Sequence, residues 1–218
     1  MLWSGDGVLA IGIAAVLPRA EARQRIRAAV REAAAQWLQL DIEAISVEST
    51  PGAPPRLLLP GGVASLSFSH DEGLSLAAVH LHGAVGIDVM RVQDIPDWAN
   101  LARDYLGPQV AEELAACPDA QRPLRLAQAW TAREAALKCA GLPLMEWDGV
   151  VLNYKVQHIA LQGGFVAMLA TPKTKTGVGP LGSDPGLSAV GFPRETYINP
   201  QCPLLIDRRR SGRKSVLR

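Results

Sequence analysis

Residues 64–90 read "ASLSFSHDEGLSLAAVHLHGAVGIDVM". Three strand-like runs stand in it, "ASLSFSH" (64–70), "LSLAAVHLH" (74–82) and "AVGIDVM" (84–90), joined by the turn formers "DEG" and "HG". Working upstream, "TPGAPPRLLLPGG" (50–62) is a Pro/Gly-rich loop and "EAISVES" (43–49) a short strand. Before them "PRAEARQRIRAAVREAAAQWLQL" predicts a long amphipathic helix started by Pro18. Ile26, Val30, Ala33, Ala34 and Trp37 mark its apolar stripe, and arginines occupy the rest. "GVLAIGIAAVL" (7–17) is read as the first strand, because Asp6 rather than a basic residue precedes it, unlike a secretory leader.

Downstream, "RVQDIPDW" (91–98) reads as a crossover into a second unit of similar plan. It opens with helices around "GPQVAEELAA" and "PLRLAQAWTAREAALKCAG" and continues as the hairpin "VVLNYKVQHIALQGGFVAMLATP", turning at Gly163-Gly164. "GLSAVGF" (186–192) is read as a last strand. Helix and antiparallel strands, twice over, imply an α+β fold built as a pseudo-two-fold pair of similar halves, each a helix on a small antiparallel sheet. The expected division is 1–95 for the N-terminal half, 96–207 for the C-terminal half, and 208–218 for a basic flexible tail.

Composition narrows the function. The chain has 218 residues, 48% hydrophobic and 20% charged, a globular balance. A formal net charge of +1 gives no overall attraction to nucleic acid, although "DRRRSGRKSVLR" at the end keeps a nucleic-acid-binding module as a competing reading. Aromatics, at 5%, are too sparse for a base-stacking platform. Cys117, Cys139 and Cys202 are odd in number and lack CxxC spacing, so neither a disulfide framework nor a zinc site is expected, and a reducing cytoplasm fits best. No apolar stretch reaches the length of a membrane span.

Chemistry concentrates in three short motifs. "GIDVM" places Asp88 near the end of an otherwise apolar strand, as a turn cap or as a ligand. "AWTAREAALKCAG" (129–141) is a helix in which Trp130, Glu134 and Lys138 step around one side together with Leu126 and Leu137. Glu134 thus falls at the apolar stripe, where an unpaired carboxylate is costly; the plainer reading is an exposed Glu134–Lys138 pair at i,i+4. "SFSHD" sets Ser69 and His70 at a strand-to-turn junction, where a lone histidine is commonly just a turn residue. His80 and His82 share a strand face but lack a third ligand nearby, so a solvent-facing hairpin end is expected. Arg23, Arg27 and Arg31 share a helix side, as a phosphate or acidic-protein grip or as a solvated face, and Cys139 reads as a small packing residue.

Taken in order, these residues resemble the surfactin-synthetase type of 4′-phosphopantetheinyl transferase. That family shows a basic residue in a "G-K/R-P" loop, then "SHS", then "G-I/V-D-x-E", then "W-x-x-K-E-x-x-x-K". The counterparts are "GAPPR" (52–56), Ser69-His70-Asp71, Gly86-Ile87-Asp88-Val89-Met90, and Trp130 through Arg133-Glu134 to Lys138. The resemblance implies transfer of the phosphopantetheine arm of coenzyme A to a serine of an apo acyl or peptidyl carrier protein, with release of 3′,5′-ADP, in the cleft between the halves. It further implies Mg²⁺ on Asp88 and Glu134, Lys138 as a mobile cation for the phosphates, and Ser69, His70 and Arg56 at the nucleotide end. Coenzyme A and the carrier protein are the expected partners of a monomeric enzyme, with no nucleic acid and no membrane. Four departures stand out: Met90 where many members have Glu, Ala53 where a basic residue is usual, Asp71 for the second Ser, and "AGLPL" without Gly-x-Gly. Met90 and Ala53 suggest the alternative of a catalytically degenerate paralogue that binds coenzyme A or a carrier protein.

Overall fold

Asp6 and Gly7, both at positive φ (51° and 74°), turn strand β1 (Trp3–Gly5) into β2 (Val8–Ala14). Such two-residue hairpin loops need left-handed backbone, which Asp-Gly supplies at low cost. This opening hairpin was not part of the sequence reading, which had only the second strand. The structure, a computed structural model, describes residues 1–173; the expected strand at 186–192 and the tail at 208–218 lie outside them.

Helix α1 (Arg19–Leu38) follows, with Pro18 as its N-cap and Gln39 in the left-handed region after it. It buries Ile26, Val30 and Ala34, three of the five positions of the expected stripe. After a 3₁₀ turn (Ile42–Ala44) come β3 (Ser46–Glu48), β4 (Arg56–Leu59), β5 (Gly62–Asp71) and β6 (Leu74–His80). Glu72 and Gly73, at φ 31° and 82°, form the loop between β5 and β6, so Asp71 belongs to the strand. These strands pair in an antiparallel six-stranded sheet of order β1-β2-β6-β5-β4-β3.

Strand β7 (Gly86–Arg91) does not extend that sheet, although it lies within residues 1–95. It pairs antiparallel with β9 (Phe165–Pro172), which pairs with β8 (Tyr154–Ile159), in a separate three-stranded sheet. Between β7 and β8 lie α2 (Trp98–Leu101), a π-helical turn (Ala102–Leu106), α3 (Pro108–Ala116) and α4 (Arg122–Ala140). Gly141, at φ 70°, closes α4 as its C-cap.

Burial follows the alternation of side chains along strands. Leu9, Ile11, Ala77 and Val79 pack with Ile26 and Val30 of α1, whereas Val8, Ala10, Leu76 and Ala78 pack with Ile87, Val89, Ala167 and Leu169 of the second sheet. The two-faced burial of β2 and β6 explains why their sequences run almost continuously apolar. On its far side the second sheet meets α4 through Ala135, Ala136, Cys139, Met168 and Ala170. The described chain is therefore a mixed α/β arrangement of helix, sheet, sheet and helix, with antiparallel sheets of six and three strands.

Candidate active site

Close approach of β7 to α4 builds the site, and Gly86 permits it. A Cβ at Gly86 would lie 1.9 Å from the Ala135 carbonyl oxygen and 2.6 Å from the Cys139 nitrogen. The glycine of "GIDVM" is thus required by contact, and it brings Asp88, two residues on, against the helix.

Asp88 is buried, and two groups hold its Oδ1. Ser69 Oγ donates to it at 2.7 Å and Lys138 Nζ at 2.6 Å. Lys138 Nζ also donates to the Ile87 carbonyl at 3.3 Å and lies 3.7 Å from Glu134 Oε2. Glu134 keeps 22% of its side chain exposed. Burial, and then the Asp88 carboxylate, raise its pKa above the ordinary carboxylate value; Lys138 and the Trp130 indole N–H oppose the shift. Lys138 offsets the buried charge of Glu134 only in part.

A second element of order joins β5 to the open edge of β7. The N–H groups of Ile87, Val89 and Arg91 donate to Ser67 Oγ (3.1 Å), Ser69 Oγ (3.2 Å) and Asp71 Oδ2 (2.6 Å). Alternate side chains of one strand thus satisfy alternate backbone donors of the other. Asp71, which stands in place of the second Ser of the family pattern, is an acceptor in this ladder. Arg91 further pairs with Glu72 and lies over the Phe165 ring.

The opposite parity of β5 faces α1. Phe68 lies under Arg27, 5.9 Å from the guanidinium carbon to the ring centre, and His70 Nδ1 is 2.8 Å from Ser75 Oγ. Burial, then the charges of Arg23, Arg19, Lys138 and Arg27, lower the His70 pKa from its ordinary 6.5. A cleft of about 780 Å³ connects these groups. Asp88, Glu134 and Lys138 line it together with Trp130 and Met90, and so do Arg19, Arg23, Arg27, Ser69, His70 and Asp71.

Of the residues expected at the site, Ser69, His70, Asp88, Glu134 and Lys138 meet in this cleft. Arg56 does not: it is exposed on β4 and absent from the lining. Its place as a basic wall is taken by Arg19, Arg23 and Arg27, at four-residue spacing on α1. Arg31 departs from that set, because its guanidinium donates to the carbonyls of Ile45 (2.7 Å) and Ile42 (3.0 Å). Arg19 was missed, and its four-residue offset from Arg23 is the signal that places it. Arg133 points away, its guanidinium 5.0 Å from the Trp147 ring centre, and burial lowers its pKa. His80 Nδ1 is 3.0 Å from the Ala84 carbonyl oxygen. Burial pushes the Cys139 thiol up to about 11, consistent with a packing residue.

Residues 84–173 match the family model described as the 4′-phosphopantetheinyl transferase superfamily, a span holding Asp88, Glu134 and Lys138 but not Ser69, His70 or the α1 arginines. A Synechocystis sp. protein whose name assigns it provisionally to the 4′-phosphopantetheinyl transferases is 29% identical over 75 residues, 34% of this chain. The match spans 30% of that relative's length. No helix among the described residues is long and apolar enough to cross a membrane.

Proposed function

We propose that the chain is a 4′-phosphopantetheinyl transferase of the surfactin-synthetase type, moving the phosphopantetheine arm of coenzyme A to a serine of an apo carrier protein and releasing 3′,5′-ADP. One observation carries the reading. A single cleft holds Asp88, Glu134 and Lys138 along one part of its wall, with Arg19, Arg23, Arg27 and His70 along another. A pyrophosphate with a further phosphate on its nucleotide needs that pairing of carboxylates and dispersed cations.

Mg²⁺ suits the donor set, since it binds oxygen and commonly takes one or two protein carboxylates beside phosphate oxygens. Asp88 uses only Oδ1 internally, and no side chain among the described residues bonds its Oδ2. Asp88 and Glu134 would hold the ion, which supplies charge neutralisation to the pyrophosphate; the Met90 thioether is too soft to join them. Among the described residues no group of three or more His, Cys, Asp or Glu forms a metal cage, so phosphate and water would complete the shell. Glu134, with its raised pKa, is suited to accept the serine proton. Lys138 reaches the phosphates as a point cation, and the α1 arginines with His70 orient the nucleotide.

The reading takes the enzyme as cytoplasmic and monomeric. Its test is incubation with coenzyme A, Mg²⁺ and a panel of apo carrier proteins of fatty-acid, polyketide and nonribosomal-peptide type. The expected result is a carrier heavier by one phosphopantetheine; an unmodified panel refutes it. Met90 at the cleft favours a second reading, a paralogue that binds coenzyme A without transfer. Saturable coenzyme A binding with an unmodified panel would select that one.

A further inference from the structure

We propose that Ser69 is a positioning residue for Asp88, acting through a hydroxyl locked between the two strands, rather than a contact to the nucleotide. This rests on the functional reading above only in taking Asp88 as part of the site. The Ser69 hydroxyl donates its proton to Asp88 Oδ1 at 2.7 Å and accepts from the Val89 N–H at 3.2 Å. Both interactions are buried, and Ser69 is 6% exposed, so the rotor has one arrangement that satisfies all three groups. A hydroxyl so engaged has spent its only proton.

The consequence reaches Lys138. Its ammonium shares Asp88 Oδ1 with Ser69, so the serine fixes the carboxylate plane that the lysine reads and leaves Oδ2 without a side-chain partner among the described residues. Because Ser69 stands on β5 beside His70, the same bond sets Asp88 in register with the histidine and the α1 arginines. Ser67 is the internal comparison. It accepts from Ile87 N–H at 3.1 Å in the same ladder but makes no bond to Asp88.

Ser67→Ala and Ser69→Ala, made in the full chain, each remove the acceptor of one β7 N–H and should both lower thermal stability, Ser69→Ala by more because it also takes a donor from the buried Asp88 carboxylate. Only Ser69→Ala should lower kcat for transfer, roughly ten- to a hundredfold, with KM for coenzyme A within about threefold of wild type. Ser69→Thr keeps the hydroxyl and should restore most of the rate. A readout that needs no activity is the proton–nitrogen correlation signal of the Lys138 ammonium. It should be retained in wild type and Ser67→Ala, and lost or shifted in Ser69→Ala. A wild-type chain that transfers nothing but shows this pattern would remove the proposed reaction and keep the positioning role. Equal kcat losses in the two alanine variants, a loss in KM alone, or a Lys138 signal unchanged in Ser69→Ala would overturn it.

Discussion

Lys138 Nζ bonds Asp88 Oδ1 at 2.6 Å, tying helix α4 to strand β7 across a separation of 50 residues in sequence. The pair is unequally buried, with 30% of the lysine side chain exposed against 7% of the aspartate. Such a geometry presents the ammonium to the cleft while the carboxylate anchors it. It engages Asp88 Oδ1 within the fold and leaves Oδ2 without a side-chain partner among the described residues, so the duty toward the fold and the proposed duty toward a ligand fall on different oxygens.

Asp88→Asn and Asp88→Ala separate those duties. Asparagine keeps an oxygen for Ser69 and Lys138, so its stability should stay close to wild type. Alanine strands the lysine and the serine hydroxyl and should cost about 1–3 kcal/mol in denaturant unfolding. Both should lose transfer, because neither offers a carboxylate. Wild-type-like turnover in purified Asp88→Asn would show that the negative charge is not needed.

Glu134→Gln should stabilise the chain at neutral pH while abolishing transfer. Burial and Asp88 raise the folded pKa of Glu134 above its ordinary 4.5, so the fold disfavours the charged form. Its destabilising contribution is absent below the ordinary value and grows as pH rises through the raised one. Melting temperatures compared across pH should show glutamine ahead of wild type at pH about 7, with the gap closing toward pH about 4. A gap that widens on acidification would mean that the Lys138 contact outweighs burial.

Gly86→Ala should cost about 3 kcal/mol or more in stability, since the new methyl meets helix backbone that cannot rotate away. Denaturant titration checks it, and a loss under about 1 kcal/mol would mean that β7 and α4 separate easily.

Strand runs, the long helices and the cleft carboxylates were legible because period and spacing are local properties of a chain. Glu134 announced itself as a charge on an apolar stripe, and Lys138 as its neighbour one turn on. Which sheet a strand joins is not local: "GIDVM" reads the same whether β7 pairs with β6 or with β9. Asp71 illustrates the same limit, because the Arg91 N–H it bonds is 20 residues away. Arg31 lies about 80° in helical phase and two turns on from Arg23, and the carbonyls of Ile42 and Ile45 hold its guanidinium outside the cleft set. Arg56 lies outside the cleft lining for a different reason, since proximity to Ala53 in sequence says nothing of where β4 turns its side chain.

Met90→Glu should be tolerated and should lower the Mg²⁺ concentration needed for half-maximal transfer. Met90 is only partly buried and lines the cleft, so a carboxylate there can stay hydrated and add an oxygen ligand. Rate measured against Mg²⁺ in the two proteins decides it. A folded but inactive variant would show that the thioether packs against something that cannot accept charge.

The nucleotide end offers the sharpest discrimination, through a comparison of coenzyme A with 3′-dephospho-coenzyme A. Burial and the neighbouring arginines hold the His70 pKa below 6.5, so at pH about 7 the ring is neutral in the free protein. A phosphate dianion favours the imidazolium, and binding would then take up a proton. The sign follows: affinity for coenzyme A should rise as pH falls from about 7 toward the lowered pKa and level off below it. Dephospho-coenzyme A should show a flatter profile, and His70→Ala should flatten the first. At fixed pH, His70→Ala and Arg23→Ala should each weaken coenzyme A by roughly one to two orders of magnitude, the loss of one charge-assisted bond worth about 1.5–3 kcal/mol. Neither should change dephospho-coenzyme A as much. Arg56→Ala, exposed at the start of β4 and outside the cleft lining, should leave both ligands unaffected. Calorimetric titration of both ligands against the three variants reads all of this, and equal losses for the two ligands in His70→Ala would remove His70 from the phosphate.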